Sequence, residues 1–560
     1  MRRQTGPKIF SWHARFCCPT DRTDLTGPVA VIQLLGHHTG VRRRRQNVIR
    51  RRSLLRAGAG AAGLGLVGAG GYDALGVAGR PGTAARQVPW DRLRKALRGD
   101  LVLPGEPDYT RAKQLALAQF DSVSPQGVAY CTTALDVAAC LRFAQEHGLR
   151  TATRSGGHSY GGYSTTQGLV IDVSRMNRVR PGERTVRLGP GAQSVDVMTA
   201  LSPHNLQVVS GLCPTVCPGG YLLGGGIGFQ TRKFGLGSDR LVSAEIVLAD
   251  GRVVRTSANE EPDLFWALRG GGGGNFGIVT DFEVLPTRVP TMNNFTLVWQ
   301  ADHFPEAAAA WQSWIDEAGN DLACSLGVMI DDSKPDTVPQ VLVTGSHLGK
   351  AEVLREALDA LVSAVGRPPS GRQETGELPY AKAMMQTFGC ADYSTEECHR
   401  QGGTPEGRIP RERFVLDRNR LASEPLSGSA VADLFAAHQA DRRPGQMRYL
   451  NLMALGGRAN EPGRTETAYV HRDTRLFVGY SVGLSADHAG EEDQRAARAW
   501  IDRAFDALTP HSNGEAYQNF IDPALGSWES AYYAENYERL RKVRRHYDPD
   551  HFFRFPQAIA

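Results

Sequence analysis

Two glycine-rich stretches, each carrying one reactive side chain, constrain this chain more than any other feature of its sequence. The first runs from Arg154 to Gly162 and holds His158; the second runs from Gly211 to Tyr221 and holds Cys213. Glycine has no Cβ, so backbone of this kind can touch a flat ligand closely. An imidazole and a thiol presented on two such loops indicate two covalent attachment points on one cofactor.

Short strands and helices alternate around these loops. The apolar pattern predicts strands at 128–131, 151–154, 168–173 and 185–188, and helices at 133–147 and 194–200. The apolar face of the first helix is expected to consist of Leu135, Val137, Ala138, Leu141 and Phe143. The first glycine loop therefore begins where a strand ends, the edge at which open α/β folds commonly bind ligands. No Gly-x-Gly-x-x-Gly motif stands in the right place, which disfavours an NAD-binding fold.

The character of the chain changes after Pro286–Pro290. Strands are predicted at 295–299, 326–330, 340–344, 449–455 and 476–484, and helices at 307–318, 350–365 and 491–508. This pattern predicts an antiparallel sheet with helices on one face. Residues 371–410 are expected to be rich in loops, and residues 531–545 to be helical.

Positive charge is concentrated at the start of the chain. The formal net charge is +5, but arginines crowd the first 52 residues, so nucleic-acid binding is not favoured. Arg51-Arg52 precedes an apolar run of alanine and glycine, which predicts a twin-arginine export signal too short to span a membrane. We expect a secreted protein, cleaved after Gly76 or Ala78, without stable membrane association; Val48 is an alternative start.

The chain contains nine cysteines, which an exported protein can use to form disulfides. In an oxidising compartment disulfides persist, and Cys131 with Cys140 and Cys390 with Cys398 are close enough in sequence to be the predicted bridges. No pair of Cys-x-x-Cys motifs occurs, so structural zinc is not expected and no metal is predicted.

We call the two glycine-rich stretches, 154–162 and 211–221, the anchor loops. Together with Tyr517-Gln-Asn519 near the end of the chain, they resemble the motifs of the berberine bridge enzyme-like oxidases, within the vanillyl-alcohol oxidase flavoprotein superfamily. The resemblance is strong over residues 110–285 and 449–559 and weak between them. It implies a bacterial, secreted enzyme with bicovalently bound FAD, in which His158 binds the flavin 8α-methyl carbon and Cys213 binds ring carbon 6. A disulfide between Cys213 and Cys217 is the alternative for the second anchor.

The resemblance also implies an α+β fold. A two-part PCMH-type FAD-binding domain is expected beside an α/β substrate domain whose antiparallel sheet is covered by helices. The expected divisions are a leader at 1–78, a leading segment at 79–110, the FAD-binding domain at 111–286, the substrate domain at 287–515, and a C-terminal segment at 516–560. That last segment is expected to return to the FAD domain and complete its site.

Most candidate cofactor-binding residues lie in the glycine loops. The expected set is Arg154, Ser155, Gly156, Gly157, His158, Ser159, Tyr160, Cys213, Val216, Gly219, Gly220, Gly224, Gly225, Gly226, Gly277, Ile278, Val279, Asn519 and His551. The loop at 155–162 is the candidate for binding the pyrophosphate through backbone N–H groups. By resemblance, Val216 is the small side chain that leaves oxygen a path to the reduced ring, and His551 replaces an asparagine usual in the family.

The catalytic base is expected, by resemblance, to be Tyr517, because a phenolate near the flavin can take the substrate's proton. Reserve candidates for this role are Tyr480, His471 and Tyr449. Phe520, Ile227 and Phe477 depart from the side chains usual in relatives and suggest an apolar, bulkier pocket.

The sequence thus predicts a secreted FAD-dependent oxidase. Its partners would be O2 and a small molecule, a sugar or secondary metabolite whose CH–OH group is oxidised with release of H2O2. Two alternatives stay open: oxidation at a C–H or C–N position, with cyclisation or amine-type chemistry, and a flavin-containing protein that binds a small molecule without catalysis.

Overall fold

The computed structural model describes residues 88–332 and 337–560. Within these residues the strands form three sheets, of four, five and eight strands. The predicted leader at 1–78 lies outside the described residues.

The first sheet carries the loop that follows Arg154. Its strands are β1 (Asp100–Val102), β2 (Gly127–Tyr130), β3 (Thr151–Arg154) and β4 (Leu169–Asp172), in the order β1-β2-β4-β3. Both neighbours of β4 run parallel to it. Its helices are α1 (Trp90–Ala96), α2 (Tyr109–Ala112) and α3 (Ala134–Glu146). The predicted strand at 151–154 is confirmed.

Helix α3 is confirmed almost to its ends. Thr133 caps it, since the Thr133 side chain accepts a hydrogen bond from the Asp136 backbone N–H and the Asp136 carboxylate accepts one from the Thr133 backbone N–H. The expectation that Leu135 lies on the buried face is wrong, because Leu135 is 64% exposed. The other four predicted residues are buried, and Cys140 lies on the buried face with them.

The second sheet is antiparallel and follows in sequence. Its strands are β5 (Val179–Pro181), β6 (Val186–Leu188), β7 (Leu241–Val247), β8 (Val253–Ser257) and β9 (Ile278–Val284), in the order β5-β6-β9-β7-β8. Its helices are α4 (Ser194–Leu201), α5 (Pro218–Tyr221), α6 (Thr231–Phe234) and α7 (Pro262–Leu268). The second anchor loop leads directly into α5.

The third sheet is antiparallel, as predicted. Its strands are β10 (Thr291–Gln300), β11 (Leu322–Asp331), β12 (Gln340–His347), β13 (Gly371–Glu374), β14 (Leu378–Pro379), β15 (Val415–Ala422), β16 (Gln446–Ala454) and β17 (Leu476–Leu484). Seven of them follow the order β13-β10-β12-β11-β16-β17-β15, and β14 pairs with β10. The sequence analysis missed β15, whose charged and polar residues hide the strand pattern.

Four helices cover one face of this third sheet: α8 (Phe304–Glu317), α9 (Ala351–Val365), α11 (Gly428–Gln439) and α12 (Glu491–Leu508). Helix α10 (Tyr380–Thr387) packs against Met292 and Asn294 of β10, on the opposite face. Three buried tryptophans, Trp311, Trp314 and Trp500, belong to the apolar core between sheet and helices. Side chains alternate along a strand, so the strand residues between those that enter this core face the other side of the sheet.

The tail packs on the core of the second sheet. Helices α13 (Trp528–Tyr533) and α14 (Tyr537–Tyr547) contribute Tyr532, Tyr533 and Leu540 to that core. The single helix predicted at 531–545 is wrong, because the backbone at Ala534 has a positive φ of 39° and separates the two helices.

The two predicted disulfides have different outcomes. The Cys390–Cys398 bridge is present. The Cys131–Cys140 bridge is wrong, because the two sulfurs lie 3.9 Å apart as buried thiols, roughly twice the length of an S–S bond. Cys213 and Cys217 form no disulfide with each other, so the alternative bridge between them is absent from the structure.

In the part of the chain that the structure describes, no helix combines the length and apolar character needed to cross a bilayer.

Candidate active site

A large cavity lies among the anchor loops, the tail and the face of the third sheet opposite α8, α9, α11 and α12. Its volume is about 760 Å³, within the range of sites that enclose a small molecule or cofactor. His158 and Cys213 both line it, so the two loops that dominate the sequence meet at one site.

One hydroxyl group connects the two reactive side chains. Thr215 Oγ1 lies 2.8 Å from His158 Nε2 and 3.8 Å from Cys213 Sγ. The hydrogen bond to Nε2 leaves Nδ1 as the imidazole nitrogen for a second partner. Burial lowers the pKa of His158 to about 3, so the imidazole is neutral. Nδ1 is the nucleophilic nitrogen in the tautomer whose Nε2–H donates to Thr215.

Glycines at the cavity wall leave space that a side chain would fill. A Cβ placed on Gly220 would meet no atom within 4 Å, so it would project into the cavity. A Cβ on Gly156 would lie 2.9 Å from the Thr215 carbonyl oxygen. The two anchor loops can therefore pack backbone to backbone only because residue 156 is glycine. Gly272, Gly273 and Gly274, from the five-glycine run, also line the cavity.

Tyr517 lies deep in this site. Its hydroxyl oxygen accepts hydrogen bonds from the backbone N–H groups of Gly226 at 3.1 Å and Ile227 at 3.3 Å, and from Asn519 Nδ2 at 2.9 Å. Burial raises the pKa of Tyr517 to about 12, and these three donors oppose that rise because they favour the phenolate. The tyrosine is therefore positioned beside the anchor loops.

Two protein families match the parts of the chain that build this cavity. The FAD binding domain family matches residues 125–257, and the berberine and berberine-like family matches residues 516–560. The uncharacterized FAD-linked oxidoreductase YgaK of Bacillus subtilis is 31% identical over 473 residues, covering 83% of this chain and 97% of the relative. The chain belongs to the berberine bridge enzyme-like FAD-linked oxidases.

Other relatives of this family are similar over most of their length. (R)-6-hydroxynicotine oxidase of Paenarthrobacter nicotinovorans is 29% identical, covering 77% of this chain and 90% of that protein. Among solved structures, Physcomitrella patens BBE-like 1 superposes with a TM-score of 0.75 at 24% identity, covering 85% of this chain and 99% of that one. Chitooligosaccharide oxidase superposes with a TM-score of 0.73 at 24% identity, covering 84% and 99%. These structures share the α+β fold with its PCMH-type FAD-binding domain.

The cavity of this FAD-linked oxidase fits FAD. Bare backbone at Gly220 leaves room for a flat ring, and most of the expected cofactor-binding residues line the same space. Those that line it are Ser155, Gly156, Gly157, His158, Ser159, Tyr160, Cys213, Val216, Gly219, Gly220, Gly277, Ile278, Val279 and Asn519. The remaining five residues, Arg154, Gly224, Gly225, Gly226 and His551, do not line it.

Arg154 is wrong as a cofactor contact. It is 5% exposed and forms an ion pair with Asp172 on the neighbouring strand β4. Its side chain faces a second cavity of about 350 Å³, on the other side of the loop that begins at Ser155. The Arg154–Asp172 ion pair links the end of β3 to β4 and so fixes the start of the first anchor loop.

Gly224, Gly225 and Gly226 pack against protein and not against the cavity. A Cβ on Gly224 would lie 2.0 Å from Asn519 Oδ1, and one on Gly225 would lie 2.7 Å from the Tyr469 ring. Glycine at 224 thus lets the tail residue Asn519 approach the backbone, and glycine at 225 makes room for Tyr469. The expected direct contact of these glycines with the cofactor stays a prediction.

His551 occupies a turn outside the cavity. Its backbone φ is +49°, a left-handed conformation that asparagine and histidine adopt more readily than most side chains. Its backbone N–H donates to the Asp548 carbonyl oxygen at 3.0 Å. The usual asparagine at this position is explained by the turn, and the expected contact with the cofactor is wrong.

Tyr480 is wrong as a catalytic candidate. Its hydroxyl donates to the Leu434 carbonyl oxygen in α11 at 2.8 Å, and its ring lies edge-on to Trp500, 5.9 Å between centroids. The side chains of β17 that reach the cavity are Phe477 and Ser481, which alternate with Tyr480.

The other reserve candidates lie beside the cavity without lining it. His471 is buried between Glu515, 2.6 Å from Nδ1, and Gln518, 3.1 Å from Nε2. Tyr449 donates from its hydroxyl to Asn451 Oδ1 at 3.2 Å. Both side chains therefore serve packing and hydrogen bonding within the protein.

Three apolar side chains that depart from those usual in relatives do line the cavity: Ile227, Phe477 and Phe520. Phe520 lies at the centre of an aromatic cluster, with ring centroids 5.5 Å from Phe477, 5.6 Å from Tyr160 and 5.4 Å from Tyr517. The predicted apolar pocket is confirmed in this wall.

Sequence reasoning missed two acidic residues of the cavity, Glu412 and Asp417. Burial raises the pKa of Glu412 to about 8 and that of Asp417 to about 7. Glu412 Oε1 and Asp417 Oδ1 are buried and make no hydrogen bond with any described residue. Neither belongs to a motif, and the unrecognised strand β15, which contains Asp417, left no local signal for it.

Proposed function

We propose that this FAD-linked oxidase removes hydride from a CH–OH carbon of a sugar or secondary metabolite and passes the electrons to O2, forming H2O2. The observation that carries the proposal is the Tyr517 hydroxyl, held by three N–H donors within the cavity that fits FAD. Bound FAD supplies the hydride acceptor. The chain's own residues must then accept a proton and hold the substrate.

Tyr517 is the proposed proton acceptor. An alcohol gives up hydride readily only as its O–H proton leaves, and the phenolate form of Tyr517 can take that proton. Because burial raises the pKa of Tyr517 to about 12, this form grows with pH, and the rate of flavin reduction should rise with it. Two backbone N–H groups and Asn519 stabilise negative charge on the phenol oxygen, as donors do in an oxyanion hole. Val216, at the cavity wall, is the proposed small residue that leaves O2 a path.

Attachment of FAD through both His158 and Cys213 is part of the proposal. Its support is the shared contact with Thr215, which brings the neutral imidazole and the thiol to one end of the cavity. A tether of this kind prevents loss of the cofactor. That property suits a protein exported with its cofactor already bound, and export through the twin-arginine signal is proposed as well.

Anaerobic reduction of the purified flavoprotein tests the reaction. Sugars, oligosaccharides and polyketide alcohols are mixed with it, and a substrate should bleach the visible flavin absorption, with peroxide formed when air is admitted. Tyr517→Phe should slow bleaching by about 10²-fold or more. Tyr480→Phe, on the helix-covered side of the sheet, is the matched control and should reduce at the normal rate.

Two results would oppose the proposal in different ways. A near-normal rate in Tyr517→Phe would move the proton acceptor elsewhere. Bleaching by amines alone, with no response to any alcohol, would replace the CH–OH assignment with C–N oxidation.

A further inference from the structure

Asp417 lies on the cavity face of the third sheet, in a row of side chains that crosses neighbouring strands. It pairs in register with Ser481 of β17, and Ser481 Oγ donates a hydrogen bond to Asp417 Oδ2. Asn419, two residues further along β15, faces the same way, and its Oδ1 accepts from the Tyr517 backbone N–H at 2.9 Å. Asp417 is therefore one strand repeat, about 7 Å, from the residue that holds the Tyr517 segment.

Among the described residues, none donates to the buried second oxygen of this carboxylate, Asp417 Oδ1, in normal hydrogen-bond geometry. The Asn419 amide lies near enough to lower the pKa of Asp417, but its Nδ2 donates to the Phe520 carbonyl oxygen at 3.3 Å. A buried carboxylate oxygen without a donor is costly, so such groups are normally paired. Because Asp417 lines the cavity, the missing donor has room to come from a ligand.

No cation of the described chain neutralises Asp417. The adjacent Arg418 forms ion pairs with Asp502 and Asp522 instead. The charged neighbour that contributes to raising the pKa of Asp417 is Asp522, another carboxylate. Four arginines line the same cavity, Arg150, Arg232, Arg400 and Arg554, and none forms an ion pair with Asp417.

Aromatic rings form part of the same cavity wall. Phe520 makes edge-on contacts with Tyr160, Phe477 and Tyr517, and the Asn419 side chain donates to the Phe520 carbonyl oxygen at 3.3 Å. Aromatic faces attract cations, and the attraction strengthens where water is excluded. A buried carboxylate that lines the same cavity as these rings matches an ammonium group better than a neutral hydroxyl.

We propose that the substrate of this oxidase carries a protonated amine and that Asp417 binds it. The inference rests on the proposed function, because it names the class of molecule oxidised in the same cavity. The ammonium group donates to Asp417 Oδ1 while Ser481 holds Oδ2. The reacting carbon then lies nearer to Tyr517, about one strand repeat away.

Binding of two probe molecules that differ only in the charged group tests this inference. Benzylammonium and benzyl alcohol are titrated into the oxidised flavoprotein at pH 8, and binding is followed by calorimetry and by the change in the flavin spectrum. Benzylammonium should bind at least about 10-fold more tightly, since hydrogen bonds to charged groups are worth more than neutral ones. Equal or tighter binding of benzyl alcohol would overturn the inference.

Three variants locate the effect. Asp417→Asn, which keeps shape and removes charge, should weaken benzylammonium binding by about 10- to 100-fold and leave benzyl alcohol within about twofold. Ser481→Ala should have a smaller effect in the same direction. Asp502→Asn, which removes a neighbouring exposed carboxylate outside the cavity, is the control and should change neither affinity by more than about twofold.

These measurements separate failure of the inference from failure of the proposed function. Unchanged benzylammonium affinity in Asp417→Asn rejects Asp417 as the amine site, whichever substrate the enzyme oxidises. Loss of affinity in that variant supports the site, even if the reaction is shown by flavin bleaching to occur at C–N instead of CH–OH.

Discussion

At the scale of single residues, Thr215 organises the site. Its hydroxyl contacts His158 Nε2 and lies near Cys213 Sγ, so two residues 55 positions apart in sequence share one neighbour. Burial keeps the imidazole neutral, since it lowers the pKa of His158 to about 3. A neutral ring whose Nε2 is hydrogen-bonded to Thr215 has Nδ1 left for the proposed bond to the flavin.

Removal of either anchor should leave FAD attached by the other. His158→Ala and Cys213→Ala should each keep flavin in the pellet after acid precipitation, whereas the double variant should release it into the supernatant. Thr215→Val is the control that removes the shared hydroxyl and keeps both anchors. Complete release from either single variant would show that only one covalent bond exists.

Glu412 should destabilise the folded protein at alkaline pH. Burial raises its folded-state pKa to about 8, while an unfolded glutamate titrates near about 4.3. The unfolded chain therefore loses its proton first, and the free energy of unfolding falls as pH rises from about 4 to about 8. Glu412→Gln should stabilise the protein by roughly 1–3 kcal/mol at pH 9 and by little at pH 5.

Thermal unfolding at both pH values measures this difference. Glu356→Gln, on the exposed side of α9, is the control and should show no such dependence on pH. A Glu412→Gln variant that is destabilised at pH 9, or altered equally at pH 5 and 9, would contradict the assignment.

At the scale of elements, strand alternation separates structural from functional side chains. On β17, Tyr480 packs under the helices whereas Phe477 and Ser481 face the cavity. On β15, Arg418 pairs with Asp502 and Asp522 whereas Asp417 faces the cavity. Neighbouring residues on one strand therefore have different roles: one packs in the core or forms an ion pair, and the next faces the cavity.

The turn between the two tail helices should be improved by glycine. Ala534 has φ 39° and ψ −124°, a conformation that a Cβ disfavours and glycine adopts freely. Ala534→Gly should raise the free energy of unfolding by about 1 kcal/mol, measured in denaturant. Ala531→Gly, inside α13, is the control and should lower it by a similar amount or more. Destabilisation by Ala534→Gly would show that this backbone carries no strain.

At the scale of the whole molecule, the cavity depends on regions far apart in sequence. The anchor loops, the five-glycine run, β15 to β17 and the tail all contribute to its wall. The tail also packs into the core of the second sheet through Tyr532, Tyr533 and Leu540. Cofactor binding and folding of these regions are therefore coupled, because a ligand that binds only the folded form stabilises it.

Export should depend on the paired arginines. Arg51→Lys with Arg52→Lys should retain the protein inside the cell with its flavin bound, because twin-arginine export carries folded proteins. Cell fractionation with measurement of flavin in each fraction provides the test. Arg56→Lys, just after the pair, is the control and should be exported normally. Export of the paired variant at the normal level would exclude this route.

The sequence by itself determined the cofactor class and most of the elements around it. The glycine loops with His158 and Cys213 and the tail motif at Tyr517 are local patterns. Such patterns can be identified in the sequence without knowledge of the fold. Strong apolar periodicity likewise predicted the strand at 476–484 and the helix at 491–508, both of which the structure confirms.

Only the tertiary structure decided which face each side chain presents. Asp417 and Glu412 are ordinary acidic residues until distant segments enclose them, and Tyr480 is excluded from the site only because helices cover its side of the sheet. Cys131 and Cys140 are close in sequence, yet their sulfurs stay 3.9 Å apart. Burial, partner and distance are set by contacts between remote parts of the chain, and no local pattern encodes them.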